Sequence, residues 1–243
     1  MGSSQGMIAD HATGPHHPMS TITLTILCPM QMEAAKLSGL VRRQGWTLLT
    51  TGIGGDAIER ALATVPPRCP VLLAGVAGAL VPDLEPGSAH LIAEVVAPDG
   101  ILQSPLIAEG LRVTGADKII ATPSDKAALA ERTGAHIVDM ESHAFAAAAE
   151  AAGRPWAIIR GVSDGVDHHL PAGCDQWFTP DGGIRPLRAA KDLLGRPREL
   201  LQMLSFARRT HLAMRQVAAL AEQTFHAQSG YCAAQTETGA PTT

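Results

Sequence analysis

The stretch His136 to Asp167, HIVDMESHAFAAAAEAAGRPWAIIRGVSDGVD, constrains the fold more than any other part of the chain. Three apolar-leaning residues, His136 to Val138, predict a short strand, and the acidic residues Asp139 and Glu141 follow it. An alanine-rich segment predicts a helix that Gly153 and Pro155 end. Trp156 to Val162 then predicts a second strand. Glu141 and Asp164 are therefore expected just beyond the carboxyl ends of successive strands, which is where open α/β sheets form their ligand crevice.

Taken singly, each carboxylate has an ordinary structural explanation. Glu141 suits the positive end of a helix, and Asp164 suits a turn. Found together at the spacing of one strand-helix-strand unit, they form a candidate site. The sequence VDMES followed by IIRGVSDG resembles the nucleoside phosphorylase and nucleosidase family, whose members cleave the bond between ribose and a nucleobase. The resemblance implies that Met140 and Glu141 hold the sugar and that Asp164, beside Ser163, protonates the leaving base.

A chain of 243 residues fits one large α/β domain with a substantial core. Aromatic residues make up only 3%, so that core must be aliphatic. The formal net charge of −4 argues against a nucleic-acid partner, because a phosphate backbone needs a basic footprint. Cys28, Cys69, Cys174 and Cys232 are scattered, with neither disulfide nor zinc spacing, and predict reduced thiols in a cytoplasmic protein. His168 and His169 near Cys174 also lack ligand spacing, so no metal is expected, and no cofactor. Residues 1–19 and 227–243 read as disordered extensions around a domain spanning 20–226.

Within that domain, Thr21 to Cys28 predicts a buried first strand, ended by Pro29. A helix follows from the loop Met30, Gln31, Met32, Glu33. In the family, a Met and a Glu at this spacing position an attacking water, which gives Glu33 that role. Trp46 to Thr51 predicts a second strand, and the turn TGIGG, with Gly54, leads to a helix at Ala57 to Val65. Val71 to Ala74 predicts a third strand. The sequence GVAGAL after it resembles the family's glycine-rich loop, so Gly75, Val76, Ala77 and Gly78 are expected to approach the sugar and nucleophile. Ala89 to Val96 predicts a further strand, and Ser124 is the expected N-cap of a helix before Ala135; in position the run Ala121 to Ala135 resembles the family's base-binding loop, the other reading of Ser124, Asp125 and Lys126 being capping and surface charge.

Apolar positions from Leu200 through Met203, Leu204, Ala207, Met214 and Val217 to Ala221 predict a long helix from Pro197 to Phe225. Its stripe should pack on the sheet or a partner subunit, with Arg196, Arg198, Arg208, Arg209 and Arg215 outside; a membrane-surface helix is the sharper alternative. The expected architecture is an α/β fold: a three-layer α/β/α sandwich around a mixed, mostly parallel twisted sheet.

Two further features bear on the reaction. Phosphorylases of the family place arginines near the first strand's loop and before the glycine-rich loop, whereas Pro29 to Met32 and Leu73 are not basic here, so hydrolysis is favoured. The runs ATPSDKAALAERTGAHIVDMES and LGRPRELLQMLSFARR resemble one branch, the hopanoid-associated phosphorylases, also described as adenosylhopane nucleosidases. That resemblance implies release of adenine from adenosylhopane in hopanoid biosynthesis, a lipid-linked purine nucleoside as partner, peripheral membrane contact and a homo-oligomer. The alternatives are a methylthioadenosine or adenosylhomocysteine nucleosidase and, from another class, a non-catalytic nucleoside-binding protein. Cleavage needs a proton at purine N7, and Asp164 is expected to supply it from a carboxyl held protonated near neutrality.

Overall fold

The computed structural model describes residues 23–171 and 173–226. The expected terminal extensions and the start of the first predicted strand lie outside these residues. Among the described residues eight strands are interspersed with helices: β1 (Thr25–Cys28), α1 (Gln31–Gln44), β2 (Thr47–Thr50), α2 (Gly55–Thr64), β3 (Val71–Ala79), β4 (Ala89–Ala97), β5 (Gly100–Gln103) and β6 (Leu111–Gly115). Then come α3 (Pro123–Thr133), β7 (Ile137–Asp139), α4 (Ser142–Ala151), β8 (Trp156–Asp164), a single 3-10 turn, α5 (Pro186–Leu193) and α6 (Pro197–His226).

The strands form one mixed sheet in the order β2-β1-β3-β7-β6-β4-β5, and β8 bridges β3 and β4. Parallel pairing joins β1 to β2 and β3, β3 to β8, β4 to β6 and β6 to β7; the β3–β7, β4–β5 and β4–β8 pairs are antiparallel. The expected α/β architecture with a mixed, mostly parallel sheet is therefore what the chain adopts. Because β8 pairs on both sides, β3, β7, β6, β4 and β8 close into a circuit, which gathers strand ends around one opening.

Side-chain alternation along the strands builds two aliphatic layers. Leu27, Leu73, Trp156 and Ile158 face a cluster with Ile58 and Leu62 of α2 and Phe145 and Ala146 of α4. Their neighbours Ile26, Leu72, Ala157 and Ile159 face Leu37 of α1 and Met214, Val217 and Ala221 of α6. Phe145 and Trp156 meet edge to face in this core with centroids 6.3 Å apart.

Several expectations are corrected here. The segment Gly75 to Ala79 is not a loop: β3 continues through it, paired to β8 as far as Gly78 opposite Asp164, with a register shift at Ala77 and Gly78. Asp164 is the last residue of β8 and not a turn beyond it. The N-cap of α3 is Thr122, whose Oγ1 accepts from the Asp125 amide at 3.2 Å, with Pro123 at the first helical position; Ser124 lies inside the helix. Strands β5 and β6 and helix α5 were not predicted. The α6 stripe is buried only in its second half, from Thr210 to Phe225; Leu200, Leu201 and Leu204 are 45%, 67% and 61% exposed. No helix among the described residues is long and apolar enough to cross a membrane.

Candidate active site

A cavity of about 200 Å³ opens where the ends of β3, β7 and β8 meet the start of α1. That is below the about 300 to 1,000 Å³ usual for small-molecule sites. Of the residues predicted from sequence, Glu33, Val76, Ala77, Gly78, Met140, Glu141, Ser163 and Asp164 all line it. Gly75 and Gly54 do not. Gly75 lies beneath the cavity floor, where its missing side chain leaves room for Arg160 and Glu33. Gly54 acts from outside, its N–H donating to Glu141 Oε1 at 2.9 Å.

The order of elements explains why acids converge. Glu33 sits in the first turn of α1, Glu141 is the N-cap of α4, and Asp164 ends β8. All three are at least 95% buried. Burial pushes the Glu33 carboxyl up to about 8, with Arg160 opposing and Glu141 adding to the rise. Burial also pushes Glu141 up to about 7, again against Arg160 and with Asp139 adding to the rise. Glu33 is further held by the thiol of Cys28, which donates to its Oε2 at 3.8 Å, and by the backbone of Val76.

Arg160 organises this end of the site and was not predicted, although it stands in the quoted IIRGVSDG motif. Its Nε donates to Asp139 Oδ2 at 2.7 Å and its Nη2 to Glu141 Oε2 at 3.4 Å. Desolvation works against the charge on Arg160, but Asp139, Glu141 and Glu33 together outweigh it. Asp139 also receives the amides of Glu141 and Ser142 at 3.2 and 2.9 Å and the hydroxyl of Ser142, so it fixes the start of α4. A charged residue inside an otherwise apolar, fully buried strand was the available signal.

At the other end, Ser163 Oγ donates to Asp164 Oδ1 at 2.6 Å, while Lys126 Nζ donates to Asp164 Oδ2 at 2.5 Å and to the Gly165 carbonyl at 2.6 Å. Lys126 is 1% exposed, not the surface charge expected from its place in the first turn of a helix. This ammonium is the ion-pair partner of Asp164. His168 accepts the Gly165 amide at 2.7 Å on Nδ1 and faces Arg209 at 3.3 Å on Nε2.

Between these two polar ends the walls are apolar: Ile53, Ile119, Ile120, Leu170, Phe178 and Phe206. The two phenylalanines are candidates for a planar ligand's walls. Neither was identified from sequence, because Phe206 lies on α6 and Phe178 in the loop before α5, far from the motif.

The arrangement can polarise both sides of a bond placed between Glu33 and Asp164, with Glu141 at the intervening hydroxyls. Five carboxylates (Glu33, Asp139, Glu141, Asp164 and Asp175) face only two basic side chains, Lys118 and Arg160, among the lining residues.

The model of the phosphorylase superfamily matches residues 102–194. Among curated proteins, none matches the chain in sequence. A methylthioadenosine/S-adenosylhomocysteine nucleosidase of Helicobacter pylori, complexed with a nucleoside analogue, superimposes with a TM-score of 0.57 at 15% identity over 85% of this chain and 99% of its own. The futalosine hydrolase of the same organism gives 0.59 at 16% identity, covering 85% and 98%. The apo methylthioadenosine nucleosidase of Arabidopsis thaliana gives 0.59 at 15% identity, covering 84% and 94%. The chain thus has the fold shared by nucleoside phosphorylases and nucleosidases.

Proposed function

We propose that this protein cleaves the N-glycosidic bond of an adenosine derivative, by hydrolysis, and that its substrate is adenosylhopane. The single observation that carries the reaction class is the convergence of Glu33, Glu141 and Asp164 on one cavity from three separate elements. In this scheme Glu33 takes a proton from water as it attacks the anomeric carbon. Glu141 accepts hydrogen bonds from the ribose hydroxyls and favours the oxocarbenium-like sugar. Asp164, steadied by Ser163, serves the departing purine, and Met140 packs on the sugar.

Electrostatics supports water over phosphate as nucleophile. A phosphate dianion needs unpaired charge-assisted donors, but Arg160 already serves Asp139 and Glu141. The carboxylate excess would oppose a dianion further.

Support for a lipid substituent comes from α6. Phe206 lines the cavity, and Leu200, Leu201 and Leu204, two to six residues earlier on the same helix, are exposed. An apolar 5′ group reaching round this helix, or a membrane surface meeting it, would cover these leucines. Methylthioadenosine is the second reading, favoured by the nucleosidases whose fold the chain shares.

The test is incubation with adenosine, methylthioadenosine and adenosylhopane, with and without phosphate. Free adenine and free sugar in phosphate-free buffer are expected, fastest with the lipid-linked substrate. Ribose 1-phosphate as the product would overturn hydrolysis, and the absence of adenine from all three would overturn the reaction class.

A further inference from the structure

We infer that Lys126 is the proton reservoir for the leaving base, acting through Asp164, so that the two side chains work as one protonated unit; this rests on the reaction proposed above. Lys126 reaches the site from the first turn of α3, fixed by the Thr122 cap, and is 1% exposed. Its contact of 2.5 Å with Asp164 Oδ2 is matched by one of 2.6 Å to the Gly165 carbonyl, which aims Nζ along the carboxylate. An ammonium taken wholly out of water needs a compensating reason, since desolvating such a pair offsets much of its attraction. The lysine places a second N–H donor directly behind the carboxyl group that faces the leaving base.

The step balances as follows. The bond between the anomeric carbon and purine N9 breaks, and its electron pair passes to the purine. As N7 becomes basic, a proton passes from Lys126 Nζ across the hydrogen bond to Asp164 and from Asp164 to N7, leaving the lysine a neutral amine and Asp164 a carboxylate. Water adds its oxygen to the anomeric carbon and loses a proton to Glu33. Both unit and base return to their starting states by proton exchange with solvent.

The other titratable and charged groups facing the pair are His168, Asp167, Arg209, Cys174 and Asp175. Burial and Arg209 hold the His168 imidazole below its ordinary range, and burial pushes the Cys174 thiol up to about 11.

The test compares leaving groups on wild type and Lys126→Met, using an adenine nucleoside that the wild type turns over and a 4-nitrophenyl riboside with the same 5′ substituent. Nitrophenolate departs without a proton. Lys126→Met should lower kcat for adenine release on the order of 10²-fold or more, while nitrophenol release stays within about threefold. Asp164→Asn should show the same selectivity. Equal losses on both substrates, or no loss on either, would overturn the proposal. If Lys126→Met does not fold, wild-type pH profiles decide: an alkaline fall in rate confined to the adenine substrate supports the unit, and the same fall or none on both excludes it. A wild type that releases neither group sinks the underlying reaction, a result distinct from either outcome for Lys126.

Discussion

A Cβ built on Gly75 would lie 2.5 Å from Arg160 Nη1 and 2.8 Å from Glu33 Oε2, so the absence of a side chain at 75 is what lets the arginine and the acid approach each other. Both neighbours are fully enclosed, so neither can swing away into solvent. Gly75→Ala is therefore expected to cost about 1 to 3 kcal/mol by overpacking and to lower kcat more than it raises KM, because Glu33 is displaced. Denaturant unfolding and steady-state kinetics on the same preparation check both parts.

Removing Arg160 should hurt in a different way. Arg160→Leu leaves Asp139 and Glu141 buried without their counter-charge, a loss typically of about 3 to 5 kcal/mol. Part of it should be recovered at pH 5, where Glu141, already raised by burial, takes up a proton and no longer needs the partner. Urea unfolding at pH 5 and pH 8 reads this directly; an equal deficit at both would mean the network stabilises by packing and not by charge.

What could be read from the chain beforehand followed local pattern. Glu141 and Asp164 were legible because strand, helix and strand in one short unit place both at known ends, and Glu33 because it opens a helix straight after a strand. Lys126 was not, since a lysine beside Asp125 in a first helical turn has the pattern of a solvated pair; only the packing of α3 over the end of β8 buries it. The run Gly75 to Ala79 looked like a loop because glycine is the commonest turn former, whereas here glycine admits Arg160 and Asp164 beside a continuous strand. In α6, the helical period continues through residues that tertiary contact never reaches, and periodicity does not reveal what covers a stripe.

Glu33 predicts a pH dependence of both rate and stability. With its carboxyl raised from 4.5 to about 8, the proton-accepting form accumulates as pH rises, so kcat/KM should climb through neutrality, reach half its maximum near 8 and level off above that. Stability runs the other way. A group whose folded value is raised contributes stability in full below 4.5 and loses it progressively as pH rises to about 8. Glu33→Gln should thus remove the acid limb with a rate loss of about 10²- to 10⁴-fold, yet melt higher than wild type at pH 9, with the difference shrinking toward pH 4. A variant less stable at pH 9 would show that the ionised Glu33 is held by its partners more strongly than burial opposes it.

Leu200, Leu201 and Leu204 offer a test that separates substrate from fold. They are exposed, so replacing all three with Gln removes little buried area and should shift unfolding by no more than about 0.5 kcal/mol per site. The cavity with Glu33, Glu141 and Asp164 is not lined by these positions. If the exposed face of α6 receives an apolar 5′ group, the triple variant should lose kcat/KM on adenosylhopane while keeping that on methylthioadenosine. One turn of α6 beyond Leu204, the positive side chains Arg208 and Arg209 remain, so any residual binding to anionic vesicles should become more sensitive to salt. Equal activity of the variant and wild type on both substrates would assign the three leucines to another surface contact and leave the cavity's chemistry as it stands.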